Sequence, residues 1–198
     1  MHVLRDTLRK LTDSRWINLF EVECRHESGR QGTWHFVSRK AVPPLGAAPL
    51  APDAVFIVPI VRTAHGNRLV VIREFRVALG DFELSCPAGL IDPGETIEEA
   101  VRRELKEETG LELTRILAVS PPVVSSAGMS DESAVVTIVE CSGEPDTAGL
   151  DGSEEIEILV IDYDQLCALH RSPVTFSAKA WLVLQLFEFI GKIAWPET

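Results

Sequence analysis

Hydrophobic and polar positions change period several times along the chain, and each change predicts an element. "RWINLFEVECRH" (15–26) and "GTWHFVSRK" (32–40) alternate loosely in polarity, with the turn cluster "ESGRQG" between them. The pair predicts an antiparallel hairpin. "AVFIVPIVR" (54–62) and "NRLVVIREFR" (67–76) are apolar, β-branched runs separated by "TAHG", which predicts a second hairpin. "DFELSCP" (81–87) predicts a further strand, stopped by Pro87, and "LELTRILAV", "SAVVTIVEC" and "EIEILVID" predict three more. Helical patterning is confined to Ile97–Thr109, to the short "DYDQLCAL" and to "SAKAWLVLQLFEFIGKIA" (177–194). The last is apolar almost all round, which predicts burial on several sides, in the core, at a subunit interface or both. Strands dominate, so the expected class is α/β in the broad sense: an α+β mixed sheet with helices packed on it.

"AVPPLGAAPLAPD" (41–53) carries four prolines and one glycine, a composition that suits a connector. It predicts an N-terminal β extension over 1–50 and a main domain over 51–198. A length of 198 residues suits one domain with an elaborated terminus. The net charge is −11, with no run of Lys and Arg to offset it. A duplex nucleic-acid partner needs a basic footprint, so no nucleic-acid partner is expected. An anionic small molecule binds such a chain only where local cations, metals or backbone amides reverse the field. Cys24, Cys86, Cys141 and Cys167 are widely spaced, without a C-x-x-C pair, which suits reduced thiols in a cytoplasmic protein. The start, "MHVLRDTLRKLTDSRW", has no apolar core of signal-peptide length. "AWLVLQLFEFIGKIAW" contains Glu188 and Lys192 and is too short and too charged to span a bilayer. The expectation is a cytoplasmic protein with no membrane association.

The chemistry concentrates in "GLIDPGETIEEAVRRELKEETGL" (89–111). Thr96-x-x-Glu99 is a capping box, and Gly110 is a left-handed terminator, so a helix is predicted over Ile97–Thr109. At about 100° per residue, Glu104 and Glu108 fall on one side and Glu107 borders it. Arg103 stands at the edge of this arc, and Val101 and Leu105 supply an apolar edge for the sheet. Spacing predicts Glu98–Arg102 and Glu99–Arg103 pairs in the first half. The second half lacks such compensation, because the residue four after Glu104 is another glutamate. Like charges at this spacing repel, and hard oxygen ligands clustered this way suit Mg²⁺ or Mn²⁺. The alternative is a solvated acidic face. "PAGLIDPGET" before the helix reads as a tight loop whose Ala88 and Gly89 carbonyls could complete a metal shell.

Gly89, five residues, Glu95, seven residues, then Arg103-Glu104-Leu105-x-Glu107-Glu108-x-Gly110-Leu111 resembles the Nudix box position for position. The resemblance implies a Nudix α/β/α sandwich that hydrolyses a nucleoside diphosphate linked to another group, using Mg²⁺, with Mn²⁺ as an option. "DFELSCPAGLIDPGET" and "IREFR" resemble the ADP-ribose pyrophosphatase group, with two departures: Ser85-Cys86 lengthen the approach to Pro87, and Glu74 stands where Gln is usual. That kinship implies ADP-ribose plus water giving AMP and ribose 5-phosphate, and a homodimer completed by the N-terminal extension. Ala88, Glu104, Glu107 and Glu108 are then the metal-binding residues, and Glu95 orients the box through Arg103. Trp16 and Trp34 resemble base-stacking tryptophans, Arg39 and Arg76 would bind phosphate oxygens, and Leu90 joins the substrate-binding set. Alongside Glu108, the catalytic carboxylates are the candidate general bases: Glu132, in "SSAGMSDES", is the first choice, and Glu154, in "DGSEEIEI", the second. Two other readings stand beside this one: the same reaction on another nucleotide sugar such as GDP-mannose or UDP-glucose, and a Nudix-fold sensor that binds nucleotide without cleaving it.

Overall fold

A computed structural model describes residues 1–46, 51–150, 152 and 155–196. The chain divides into two compact units, Met1–Asp53 with Pro122–Ala134, and Ala54–Pro121 with Val135–Thr198.

The first unit is built on a three-stranded antiparallel sheet in the order β1 (His2–Lys10), β2 (Asn18–Arg25), β3 (Gln31–Ser38). The β2–β3 hairpin is the one expected from its alternation. Phe20 and Val22 alternate inward on β2 and meet Phe36 of β3, with the Phe20 and Phe36 rings stacked at 5.7 Å between centroids. Strand β1 has no clean alternation and no buried residue. Its register on β2 shifts between Leu4 and Arg9, so periodicity gives no sign of it. The segment after Pro121 forms β9 (Val123–Val124), which pairs with Ser133 and Ala134. Beyond it, Val37 donates its amide to the Met129 carbonyl at 2.8 Å.

The second unit holds the larger sheet, ordered β11 (Ile156–Ile161), β5 (Gly66–Arg76), β4 (Ala54–Thr63), β10 (Ser133–Ser142), β8 (Glu112–Val119). Two short strands join it, β6 (Asp81–Ser85) on β5 and β7 (Ala88–Leu90) on β4. Strand β4 is apolar from Ala54 to Val61, where both its faces are covered. Phe56, Val58 and Ile60 point into one core, with Leu184 and Phe187 of α3 (Ala178–Ile190) and Leu166 of α2 (Tyr163–His170). Val55 and Ile57 point into the other, with Ala100, Val101 and Leu105 of α1 (Ile97–Thr109). Helices on both faces of a mixed sheet make an α/β/α sandwich. Among the described residues no helix is long and apolar enough to cross a membrane.

One expectation needs correcting here. "PAGL" is not a free loop, since Ala88–Leu90 pair antiparallel with Ala54–Phe56. Helix α3 packs Ala180, Val183, Leu184 and Phe187 into the core of its own chain, while Leu182 is 60% and Phe189 87% exposed on that chain. All-round apolarity does not distinguish a surrounded helix from one with an open apolar face.

Helix α1 has the predicted ends. Thr96 Oγ1 accepts from the Glu99 amide, the Glu99 carboxylate accepts from the Thr96 amide at 2.8 Å, and Gly110 closes the helix at φ +72°. Thr96→Ala removes one half of this box. It should lower stability by about 1 kcal/mol, read as a shifted urea midpoint with an unchanged slope.

Candidate active site

Two of the three predicted metal carboxylates sit inside the protein. Glu104 is 8% exposed and Glu108 4%, whereas the Glu107 side chain is about half exposed. The sheet side of α1 is fixed by Val101 and Leu105, both fully buried. The 3.6-residue period then turns Glu104 and Glu108 toward β7. The Glu108 carboxylate accepts the Ala88 amide at 3.1 Å. In an extended strand a residue's N–H and C=O lie on the same side, so the Ala88 carbonyl shares the direction of α1. Gly89 leaves room for the neighbouring glutamate, because a Cβ built there would overlap the Glu104 carboxylate itself.

Arg103 organises the rest. Its guanidinium grips Glu95 as a fork, with Nε and Nη2 each 2.9 Å from a carboxylate oxygen. Nη2 also donates to the Leu90 carbonyl at 2.8 Å, and Nη1 reaches Glu104 at 2.6 Å and Glu107 at 3.4 Å. The expected Arg103–Glu95 contact is therefore present. The i,i+4 rule pairs Glu98 with Arg102, as expected, but the expected Glu99–Arg103 pair is replaced, because Glu99 is committed to capping Thr96. Arg103 also reaches further over the acidic face than its position at the edge of the arc suggested. The Arg103 hydrogen bonds, helped by the Asp92 amide, hold the Glu95 carboxyl below the usual carboxylate range. Reciprocally, hydrogen bonding to Glu95 makes the Arg103 guanidinium still harder to deprotonate.

Among the described residues, no three His, Cys, Asp or Glu side chains stand together as a finished metal cage. The residues present nevertheless fit a hard divalent cation. Two buried carboxylates on one helix side, a glycine cleared for one of them and a strand carbonyl on the same side form an all-oxygen donor set. Burial disfavours charge on either carboxylate unless a cation or donor faces it, and Arg103 supplies a cation at Glu104.

The other candidates occupy defined places. Arg76, on β5, is held by Glu74 of the same strand and by Glu83 of β6 at 3.3 Å; a single-strand reading misses Glu83, which stands directly opposite Glu74 in the β5–β6 register. The Leu90 side chain is 40% exposed. In the first unit, Trp16 and Trp34 are exposed, and the Arg15 guanidinium lies over the Trp16 ring at 4.4 Å. Arg39 and Glu132 are paired there at 3.0 Å. Glu154 lies outside the described residues.

A two-faced mixed sheet with an acidic helix carrying two buried carboxylates defines a class: an α/β domain with an oxygen donor set of the kind that hard divalent cations take. The NUDIX domain family matches residues 51–182, so the chain belongs to the Nudix family. It is 30% identical over 138 residues to the ADP-sugar pyrophosphatase of Mus musculus, covering 68% of this chain and 59% of that protein. It is 27% identical over 173 residues to the ADP-ribose pyrophosphatase of Saccharomyces cerevisiae, covering 84% and 70%. This chain thus spans about three fifths of the mouse relative's length. A solved ADP compounds hydrolase superposes with a TM-score of 0.72 at 23% identity over 96% of this chain and 94% of that one, a likeness of fold. Nudix hydrolases generally use divalent metal cations.

Gly89→Ala should expel the Glu104 carboxylate and weaken Mn²⁺ binding at least about tenfold, measured by electron paramagnetic resonance. The Glu95–Arg103 fork also has a pH signature. A carboxyl whose folded pKa is depressed stabilises the fold above its unfolded value and loses that contribution as pH falls through the folded one. The stability gap between wild type and Glu95→Gln should be widest at neutral pH and shrink on acidification below the ordinary glutamate pKa, as read from urea midpoints across that range.

Proposed function

We propose that this protein hydrolyses the pyrophosphate of ADP-ribose, giving AMP and ribose 5-phosphate, with Mg²⁺ as the working ion and Mn²⁺ as a substitute. The observation that carries the reading is the pair of buried glutamates, Glu104 and Glu108, turned toward Ala88 and Gly89. The substrate class is supported by the relatives named for ADP-sugar and ADP-ribose.

Glu104, Glu108 and the Ala88 carbonyl would hold the cation, with Glu107 assisting from its exposed position. When bound, the cation supplies charge neutralisation at the pyrophosphate and a more acidic water. Glu95 fixes Arg103, and Arg103 in turn spaces Glu104 from Glu107. Arg76 would offer its guanidinium to phosphate oxygens, exchanging the Glu74 and Glu83 carboxylates for substrate. Arg39 would do the same. Trp16 and Trp34 would stack on the base, each face contributing about 1–3 kcal/mol, and Leu90 would line the substrate beside the metal residues. Glu132 is the proposed general base, held in place by its ion pair with Arg39. Glu154 is the second candidate. The working form is proposed to be a cytoplasmic homodimer in which the N-terminal extension, residues 1–50, serves dimerisation and base binding, and residues 51–198 form the hydrolase domain.

A panel of nucleotide sugars assayed with Mg²⁺ tests the substrate. ADP-ribose should lead GDP-mannose and UDP-glucose in kcat/KM, with AMP and ribose 5-phosphate as products. ADP-ribose among the poorest substrates would overturn the assignment. For the base, Glu132→Gln should cost about 10²–10⁴ in kcat and Glu154→Gln far less; the reverse order would move the role to Glu154.

A further inference from the structure

We infer that Gly149 and Asp146 are positioning residues for the metal-binding turn of α1, an inference that rests on the metal role of Glu104 and Glu108. A helix leaves its last four carbonyls without helical partners. In α1 the Thr109 carbonyl is taken by the Asp146 amide at 3.0 Å, so the segment following β10 serves as part of the helix cap. Asp146 then shapes that segment, because its Oδ1 accepts the Ala148 amide at 2.9 Å, an Asx turn of the usual kind. The turn carries Gly149 back onto the helix.

Gly149 is there for space rather than for conformation. It is not among the glycines with positive φ, so a side chain would suit its backbone shape. A Cβ at Gly149, however, would lie 2.7 Å from the Glu107 carbonyl oxygen and 2.8 Å from the Glu107 Cα. Both are main-chain atoms of the last helical turn and cannot swing aside as a side-chain tip could. The same segment presses a second time at Gly110, where a Cβ would lie 2.7 Å from Asp146 Cγ and 2.8 Å from the Asp146 amide nitrogen. Between these two points of close approach lie Glu108 and Thr109. The Glu108 carboxylate is the one that accepts the Ala88 amide. A shift of the Glu107–Gly110 turn by a few tenths of an ångström would move Glu107 and Glu108 relative to Glu104 and Ala88. The segment from Asp146 to Gly149 thus does for the helix backbone what an outer-shell hydrogen bond does for a metal ligand.

The test is Mn²⁺ affinity, read by electron paramagnetic resonance on the full chain well below its melting temperature. Gly149→Ala should weaken binding about tenfold. Gly32→Ala, where a Cβ would meet only Cys24 Sγ at an ordinary 3.9 Å, should leave it unchanged. Asp146→Ala should also weaken binding, while Asp146→Asn, which loses the same charge but keeps an Oδ1 acceptor for Ala148, should restore it. A folded Gly149→Ala with wild-type affinity overturns the inference. If Gly149→Ala does not fold, equal affinities in the two Asp146 variants overturn it. Glu108→Gln, run beside them, separates the two levels: loss of affinity there with none in Gly149→Ala leaves the metal site standing and removes only its support. Retained affinity in Glu108→Gln removes both.

Discussion

Two carboxylates buried on one side of a single helix set the terms for this structure. Glu104 and Glu108 are nearly as inaccessible as the leucine between them. Burial disfavours each charge, and proximity disfavours having both. The fold tolerates them because specific donors are aimed at them: the Arg103 guanidinium at Glu104 and the Ala88 amide at Glu108. Each donor needs its own support. Arg103 is held by Glu95 and the Leu90 carbonyl, and Ala88 is held by the pairing of β7 with β4. The capping box and the left-handed Gly110 fix where α1 begins and ends, and so which residues face β7.

The sheet supplies the rigid frame for that arrangement. Strand β4 is buried on both faces, so α1 on one side and α2 and α3 on the other press on the same backbone. Strand β7 takes its place from β4, and α1 takes its rotation from Val101 and Leu105 in the core beneath it. Arg103 has a double part. It balances the acidic face at Glu104 and Glu107, and it ties that face to Glu95 and the Leu90 carbonyl. On the proposed metal role of Glu104, a divalent cation would compete with Arg103 for that carboxylate.

Much of this was legible in the sequence, for identifiable reasons. The ends of α1 were readable because capping is local chemistry, carried by Thr96, Glu99 and Gly110. The hairpins 18–38 and 54–76 were readable because apolar runs and turn clusters alternate. What escaped depends on partners distant in sequence. Strand β1 has no buried face to impose a period, and β7 is only three residues long and exists because β4 is there to pair with it. The Arg76 clasp needs Glu83 from the next strand, and the close approach of Gly149 to Glu107 joins residues 42 positions apart. The acidic face itself could be counted from spacing. Its burial, and the reach of Arg103 across it, could not.

The most direct measurement is the anomalous scattering map of a crystal soaked in Mn²⁺. The account predicts an ion between the carboxylates of Glu104 and Glu108 and the carbonyl of Ala88, with Arg103 withdrawn from Glu104 and still forked on Glu95. A well-occupied ion elsewhere on the protein, with Glu104 and Glu108 uncoordinated and Arg103 unmoved, would contradict it.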